Sequence, residues 1–157
     1  NASSAYASFT SASQYSSDIG LRFRLRIVTG ATMKYPPKST HLVTYSEAGT
    51  FDAFSNRIKL YYESTGWSIY NSVTGTGTLI NLSYDTDYEV MVQFSRSATV
   101  GGFVVWVDGV EVIRELSGNT TDRDYVQHIR LGSLNSETFI INSNIQIDEI
   151  EVGTITE

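Results

Sequence analysis

From Asp87 to Arg114 the chain reads DYEVMVQFSRSATVGGFVVWVDGVEVIR, a pattern that fits consecutive antiparallel strands. Tyr88, Val90, Val92 and Phe94 alternate with Glu89, Met91 and Gln93, the period of two that marks a strand with one face on a core. A second apolar run, Phe103 to Val107, leads into Asp108-Gly109. Asp-Gly between two apolar runs is a strong hairpin signal, because both central residues of a type I′ turn need positive φ. Val104 to Val107 is therefore expected to pair with Val110 to Arg114.

The same periodicity recurs along the chain. Leu21, Phe23, Leu25 and Ile27 alternate with Arg22, Arg24 and Arg26, giving a strand with one core face and one strongly basic face. Pro36 and Pro37 cannot donate to a ladder, so Met33 to Ser39 is expected to be loop or sheet edge. His41 to Tyr45 resumes as a strand, and RIKLYYE (57–63) and WSIY (67–70) flank Ser64-Thr65-Gly66, a natural hairpin connection. Thr74 to Thr78 alternates with Gly75 and Gly77, Leu79 to Leu82 is apolar again, and Val126 to Leu131, Thr138 to Ile141 and Ile145 to Val152 complete ten or more strands. No segment shows helical recurrence with start and stop signals, and no fixed-period repeat occurs. The expected fold is all-β, a two-sheet antiparallel β-sandwich of the jelly-roll kind. An immunoglobulin-type sandwich is the competitor, but it typically uses about 100 residues and fewer strands.

With 157 residues the chain is expected to form a single domain, 1–157, large enough to fold without staples. It contains no cysteine, so disulfides, thiolate nucleophiles and zinc ribbons are unavailable. The net charge of −6 argues against a nucleic-acid partner, although a local basic patch can still meet an anionic ligand. No apolar run approaches the roughly 18 residues of a membrane span, and no signal-peptide pattern opens the chain, so a mature or excised domain is expected. The opening NASSAYASFTSASQYSS has a composition common in secreted and surface-exposed proteins, and suggests an extracellular or virion-surface location. Sequons at Asn1, Asn81 and Asn119 carry little weight in a Ser/Thr-rich chain.

The x-Y-x-V-x-V strand, followed by a loop and V-V-W-V-D-G-V-E-V, resembles the laminin-G-like and concanavalin A-like jelly rolls, and IQIDEIEV (145–152) resembles their closing strand. The likeness covers nearly the whole chain and specifies a fold better than a ligand. It implies a structural calcium site, with Asp148 in the matching position and backbone carbonyls as further ligands. Asp85 and Asp87 in YDTDY also have ligand-like spacing, but an Asp-rich turn before a strand is the commoner arrangement.

Catalytic signatures of that superfamily are missing. Its β-glucanases present Glu-x-Asp-x-x-Glu, which sets two carboxyls about 5 to 5.5 Å apart; here the nearest cluster is Asp148, Glu149 and Glu151, with Glu149 and Glu151 expected on one face. Jelly-roll lyases use Gln-x-His with a Tyr, whereas Gln127 and His128 are adjacent and His41 is remote in sequence. The expectation is a protein that is not an enzyme.

Sugar recognition relies on aromatic rings that stack on pyranose faces, with amides and charged groups on the hydroxyls. The chain is 12% aromatic, with ten Tyr. Trp67 and Tyr70 lie beside a hairpin tip, and Trp106 opposes Phe103, Val105 and Val107 in the alternation. With Gln93 and Arg24 as polar neighbours they are the candidate carbohydrate-binding residues. Each Trp can instead fill the core. The Arg22, Arg24 and Arg26 stripe suits uronates or sulfated glycans, but a cross-strand ladder with Asp and Glu is favoured. The expected function is a non-catalytic, lectin-like carbohydrate-binding module whose partner is a polysaccharide or glycan. The alternative is a structural or adhesion module of a viral or cell-surface assembly that meets a protein partner through its amino-terminal arm. A hydrolase or lyase lacking the usual motifs comes third.

Overall fold

The computed structural model describes residues 6–15, 18–33, 38–46, 56–63, 66–71, 80–119, 126–132, 140–142 and 145–153. Its strands are β1 (Tyr6–Tyr15), β2 (Ile19–Ile27), β3 (Thr32–Met33), β4 (Lys38–Ser46), β5 (Asn56–Glu63), β6 (Gly66–Asn71), β7 (Ile80–Leu82), β8 (Asp87–Ser95), β9 (Gly101–Val107), β10 (Val110–Gly118), β11 (Val126–Gly132), β12 (Ile140–Asn142) and β13 (Ile145–Gly153). The described residues include no helix. Six strands form one sheet in the order β1-β11-β4-β5-β6-β7, five form another in the order β10-β9-β8-β2-β13, and β12 pairs with β3. Every pairing is antiparallel.

The alternation read from the sequence is what joins the two sheets. Ile19, Leu21, Phe23, Leu25 and Ile27 of β2 are buried, as are Val90, Val92 and Phe94 of β8 and Phe103, Val105 and Val107 of β9. From the other sheet come Val43 and Tyr45, Ile58 and Leu60, Trp67 and Ile69, and Ile129 and Leu131, all in the same apolar cluster. Burying each such side chain stabilises the fold by about 1.5–3 kcal/mol. At one point the contact is aromatic: the Tyr45 ring stacks on Phe94 at 5.0 Å between centroids and meets Phe103 at 5.7 Å. Burial pushes the Tyr45 phenol pKa up, and its hydroxyl finds no partner among the described residues.

Local chemistry shapes the strand ends. Asp108 and Gly109 both take positive φ, 51° and 76°, and Val107 pairs with Val110 as the Asp-Gly turn requires. The Asp108 carboxylate then accepts the Glu89 N–H at 2.9 Å, tying the hairpin tip to β8. At the YDTDY turn Asp85, at φ 57°, accepts the Thr29 N–H at 3.1 Å and the Thr29 hydroxyl. These bonds lower its carboxyl pKa. The Asp-rich segment is therefore a turn whose first carboxylate is satisfied by the protein.

The amino-terminal segment read as an arm is, from Tyr6 onward, a ten-residue edge strand that pairs with β11. The closing strand also departs from simple alternation. Asp148 pairs with Arg24 and Glu151 with Arg22, so one extra residue is inserted between them, and Glu149 takes φ 50°. This β-bulge lets Ile147 and Ile150, three apart, both pack against the core. It also sets Asp148 and Glu151 opposite the arginines of β2, and the Glu149 carboxylate reaches Arg24 on the same outer face, so Glu149 and Glu151 share a face as expected. The strand expected over Thr138 to Ile141 is the short β12. Thr74 to Thr78, Ser64-Thr65 and the Pro36-Pro37 pair lie outside the described residues.

Candidate functional site

The arginine stripe lies on the outer face of the five-stranded sheet and is neutralised there. Arg22 donates from Nε to Glu89 Oε2 at 3.0 Å and lies 3.8 Å from Glu151, Arg24 pairs with Glu149 at 2.6 Å, and Arg26 with Asp87 at 3.3 Å. The contact with Glu89 raises the Arg22 pKa. Arg22, Arg24, Asp87, Glu89, Glu149 and Glu151 line one open depression, together with Phe23 and Asp108. The cross-strand ladder is thus the arrangement formed. Exposed pairs of this kind contribute about 0–1 kcal/mol each.

The candidate sugar-binding residues do not converge. Trp67 is fully buried, with its indole N–H donating to the Ala31 carbonyl at 3.3 Å. That corrects its assignment as a stacking platform: in WSIY, Trp67 shares parity with Ile69, so both face the core. Trp106 is half-buried on the outer side of β9, with Met91 and Glu111 as its register partners. Gln93, on the same sheet, donates to Asp18 at 3.1 Å, and Arg24 is held by Glu149. Tyr70 belongs to the other sheet, on β6. Asp148 is exposed, and among the described residues no group of three or more His, Asp or Glu is placed to hold a metal ion.

A different surface emerges from the six-stranded sheet. Its strands contain four Lys or Arg residues, Lys38, Arg57, Lys59 and Arg130, and a single acid, Glu63, at the last pair of the β5–β6 hairpin. The strands of the other sheet carry seven acids against four arginines. Alternation with the buried Val43, Ile58, Leu60, Trp67, Ile69, Ile129 and Leu131 puts Arg57, Lys59 and Arg130 at outer-face positions. Cross-strand register then aligns them in rows: Ser8, Arg130, Thr44 and Arg57 in one, His41, Lys59 and Tyr70 in the next, and Ser39, Tyr61, Ser68 and Asn81 beyond. Ser68 is only 3% exposed although it alternates with core residues, and its hydroxyl bonds to Asn81 Oδ1 at 3.3 Å.

Of this surface, sequence reasoning found only Tyr70. His41, Lys59 and Tyr70 are far apart in the chain, and only the β4–β5–β6 register assembles them. A further obstacle is the bulge between His41 and Val43, where Leu42 is buried out of alternation.

No protein-family model matches the chain, and no characterised protein sequence matches it significantly. Solved structures do. The alginate lyase Aly36B superposes with a TM-score of 0.68 at 12% identity, over 96% of this chain and 74% of its own. A variant of that lyase with a lysine and a tyrosine replaced, in complex with an alginate tetrasaccharide, gives 0.63 at 13%, over 91% and 71%. The cellulose-induced protein Cip1 gives 0.55 at 12%, over 93% and 71%. Trypanosoma rangeli sialidase gives 0.54 at 17%, over 86% of this chain but 20% of its own. At these identities the likeness establishes the fold alone.

Proposed function

We propose that this chain is a concanavalin A-like carbohydrate-binding module, working outside the cell, that holds an acidic polysaccharide on the outer face of its six-stranded sheet. The observation that carries this reading is the division of charge between the sheets: one acid on the strands of the six-stranded sheet and seven on those of the five-stranded one, in a chain of net charge −6. Rows of Lys, Arg, Tyr, Ser and Asn match a polymer that offers carboxylates, hydroxyls and apolar ring faces. Neighbours of the same fold act on glycans, and one of them acts on alginate, a polyuronate.

Affinity electrophoresis through gels containing polyuronate, sulfated or neutral polysaccharide tests the proposal. Retardation is expected in the polyuronate gel, weakening as salt is raised and screening sets in. Retardation by neutral glucans alone would overturn the assignment. A calcium ion at Asp148 would sit on the opposite sheet, so chelator is expected to act on melting temperature, if anywhere, and to leave retardation unchanged.

One observation favours the assembly reading. β1, the edge of the six-stranded sheet, carries no charged residue or proline over its ten residues, and such edges lack the usual protection against pairing with another chain. Concentration-dependent dimers with no glycan retardation would support that reading instead.

A further inference from the structure

Of the two tryptophans, Trp106 alone has a ring that meets solvent, and it stands on the sheet opposite the face assigned above. Across the strands its direct partners are Met91 on β8 and Glu111 on β10. The next row, toward the start of β9, puts Gln93 and Arg114 on either side of Val104. Val104 is only 2% exposed yet lies outside the core cluster, so Val104, Met91 and Trp106 form an apolar strip separate from the sandwich interior. Directly opposed residues have Cβ atoms about 4.5–5.5 Å apart and diagonal ones about 7–8 Å, which sets Gln93, Glu111 and Arg114 around the indole.

Charge selects the class of ligand. The Arg114 guanidinium donates twice to Glu111, at 2.8 and 2.5 Å, Arg22 beside Met91 donates to Glu89 at 3.0 Å, and the Gln93 amide donates to Asp18 at 3.1 Å. A carboxylated or aminated ligand must compete with these contacts. A hydroxyl uses them as they stand, since it donates to a carboxylate and accepts from a guanidinium or an amide. The indole N–H of Trp106 has no partner among the described residues and is one more donor for a hydroxyl. We propose that Trp106 carries a second carbohydrate site, for neutral pyranose units, with the indole stacked on the apolar face of the sugar and Gln93, Glu111 and Arg114 on its hydroxyls. The site stands apart from the six-stranded face. Only its consequence rests on the acidic-polysaccharide reading: a module that holds an acidic polymer on one sheet and a neutral one on the other cross-links the two.

Because Trp67 is buried, quenching of tryptophan fluorescence by acrylamide reports on Trp106. Cellohexaose and mannohexaose are the neutral probes, and an alginate hexasaccharide is the acidic one. The expected result is that a neutral probe shields Trp106 from the quencher, with an affinity that changes by less than about two-fold as salt is raised, since no net charge is engaged. Trp106→Ala should weaken that affinity at least about 30-fold, the usual effect of truncating an aromatic anchor. Trp106→Phe keeps a ring and should weaken it less, and its thermal melt separates lost binding from lost fold. Retardation on polyuronate gels should stay within a few-fold of the parent in both variants. Shielding by neither neutral probe would overturn the site and leave the polyuronate reading standing. Shielding by the alginate hexasaccharide alone would overturn the neutral class, and neutral affinity that survives in Trp106→Ala would reject Trp106 as the platform.

Discussion

Trp67→Ala is expected to destabilise the protein by about 3–5 kcal/mol, the usual effect of truncating a fully buried Trp. For a chain of this size that lowers the melting temperature by about 10 °C or more. Trp67 has no exposed surface, lies in the cluster with Ile69, Leu60 and Ile58, and ends in a hydrogen bond to Ala31, so its removal leaves a large cavity and an Ala31 carbonyl held by the Tyr84 hydroxyl alone. Trp106→Ala is expected to lower stability by about 1 kcal/mol, because its ring is only half-buried on the outer side of β9. Thermal melts of the two variants side by side decide the matter. A Trp67→Ala protein that melts with the parent would contradict the buried placement. Loss of glycan retention in that variant would report unfolding, and Trp67→Phe, which keeps most of the volume, is expected to retain both fold and binding.

Gly102→Ala is expected to be comparably severe. A Cβ at this position would lie 1.7 Å from the Glu115 carbonyl oxygen and 2.8 Å from its carbon, and both are backbone atoms that no rotamer change can move. The clash arises because the β9–β10 ladder skips register between Glu115 and Gly118, which brings β10 down onto Gly102 at the start of β9. The variant must either open that end of the hairpin or shift β10, at a cost of about 3 kcal/mol or more. Gly109→Ala meets no atoms but is held at positive φ, 76°, and is expected to cost only about 1 kcal/mol. Urea denaturation of the pair checks the ranking. A Gly109→Ala variant weaker than Gly102→Ala would show that the turn, and not the close approach of strands, limits this hairpin.

The sandwich could be read from the chain because its strands obey alternation so closely. Leu21, Phe23, Leu25 and Ile27 face the core and the intervening arginines do not, and Asp108-Gly109 marks its turn through the positive φ that it alone supplies cheaply. What escaped the reading depended on register and on bulges. The inserted residue at Glu149 shifts the parity of Ile150 and Glu151, and the bulge at Leu42 breaks the alternation that would have aligned His41 with Lys59. A Ser-, Ala- and Tyr-rich strand such as β1 lacks the apolar alternation that would have announced it. In WSIY the parity that Trp67 shares with Ile69, and not its nearness to a hairpin tip, decides that its ring is buried. The row of His41, Lys59 and Tyr70 was hardest to see because it takes one residue from each of three strands. Charge segregation becomes visible only once the strands have been sorted into sheets.

Two triple variants decide whether glycan binds the six-stranded sheet or the arginine ladder. Replacing Arg57, Lys59 and Arg130 together by Gln, and in a separate protein Arg22, Arg24 and Arg26 together by Gln, removes equal positive charge from the two outer faces. Affinity electrophoresis on a polyuronate compares them at matched salt. The first protein should lose retention by at least about 100-fold, as expected from the loss of three charged contacts worth at least about 1 kcal/mol each. The second should bind within a few-fold of the parent, since its arginines already face Glu89, Glu149 and Asp87. Equal losses would mean that net charge alone drives retention, and loss in the second protein only would place the glycan on the opposite sheet.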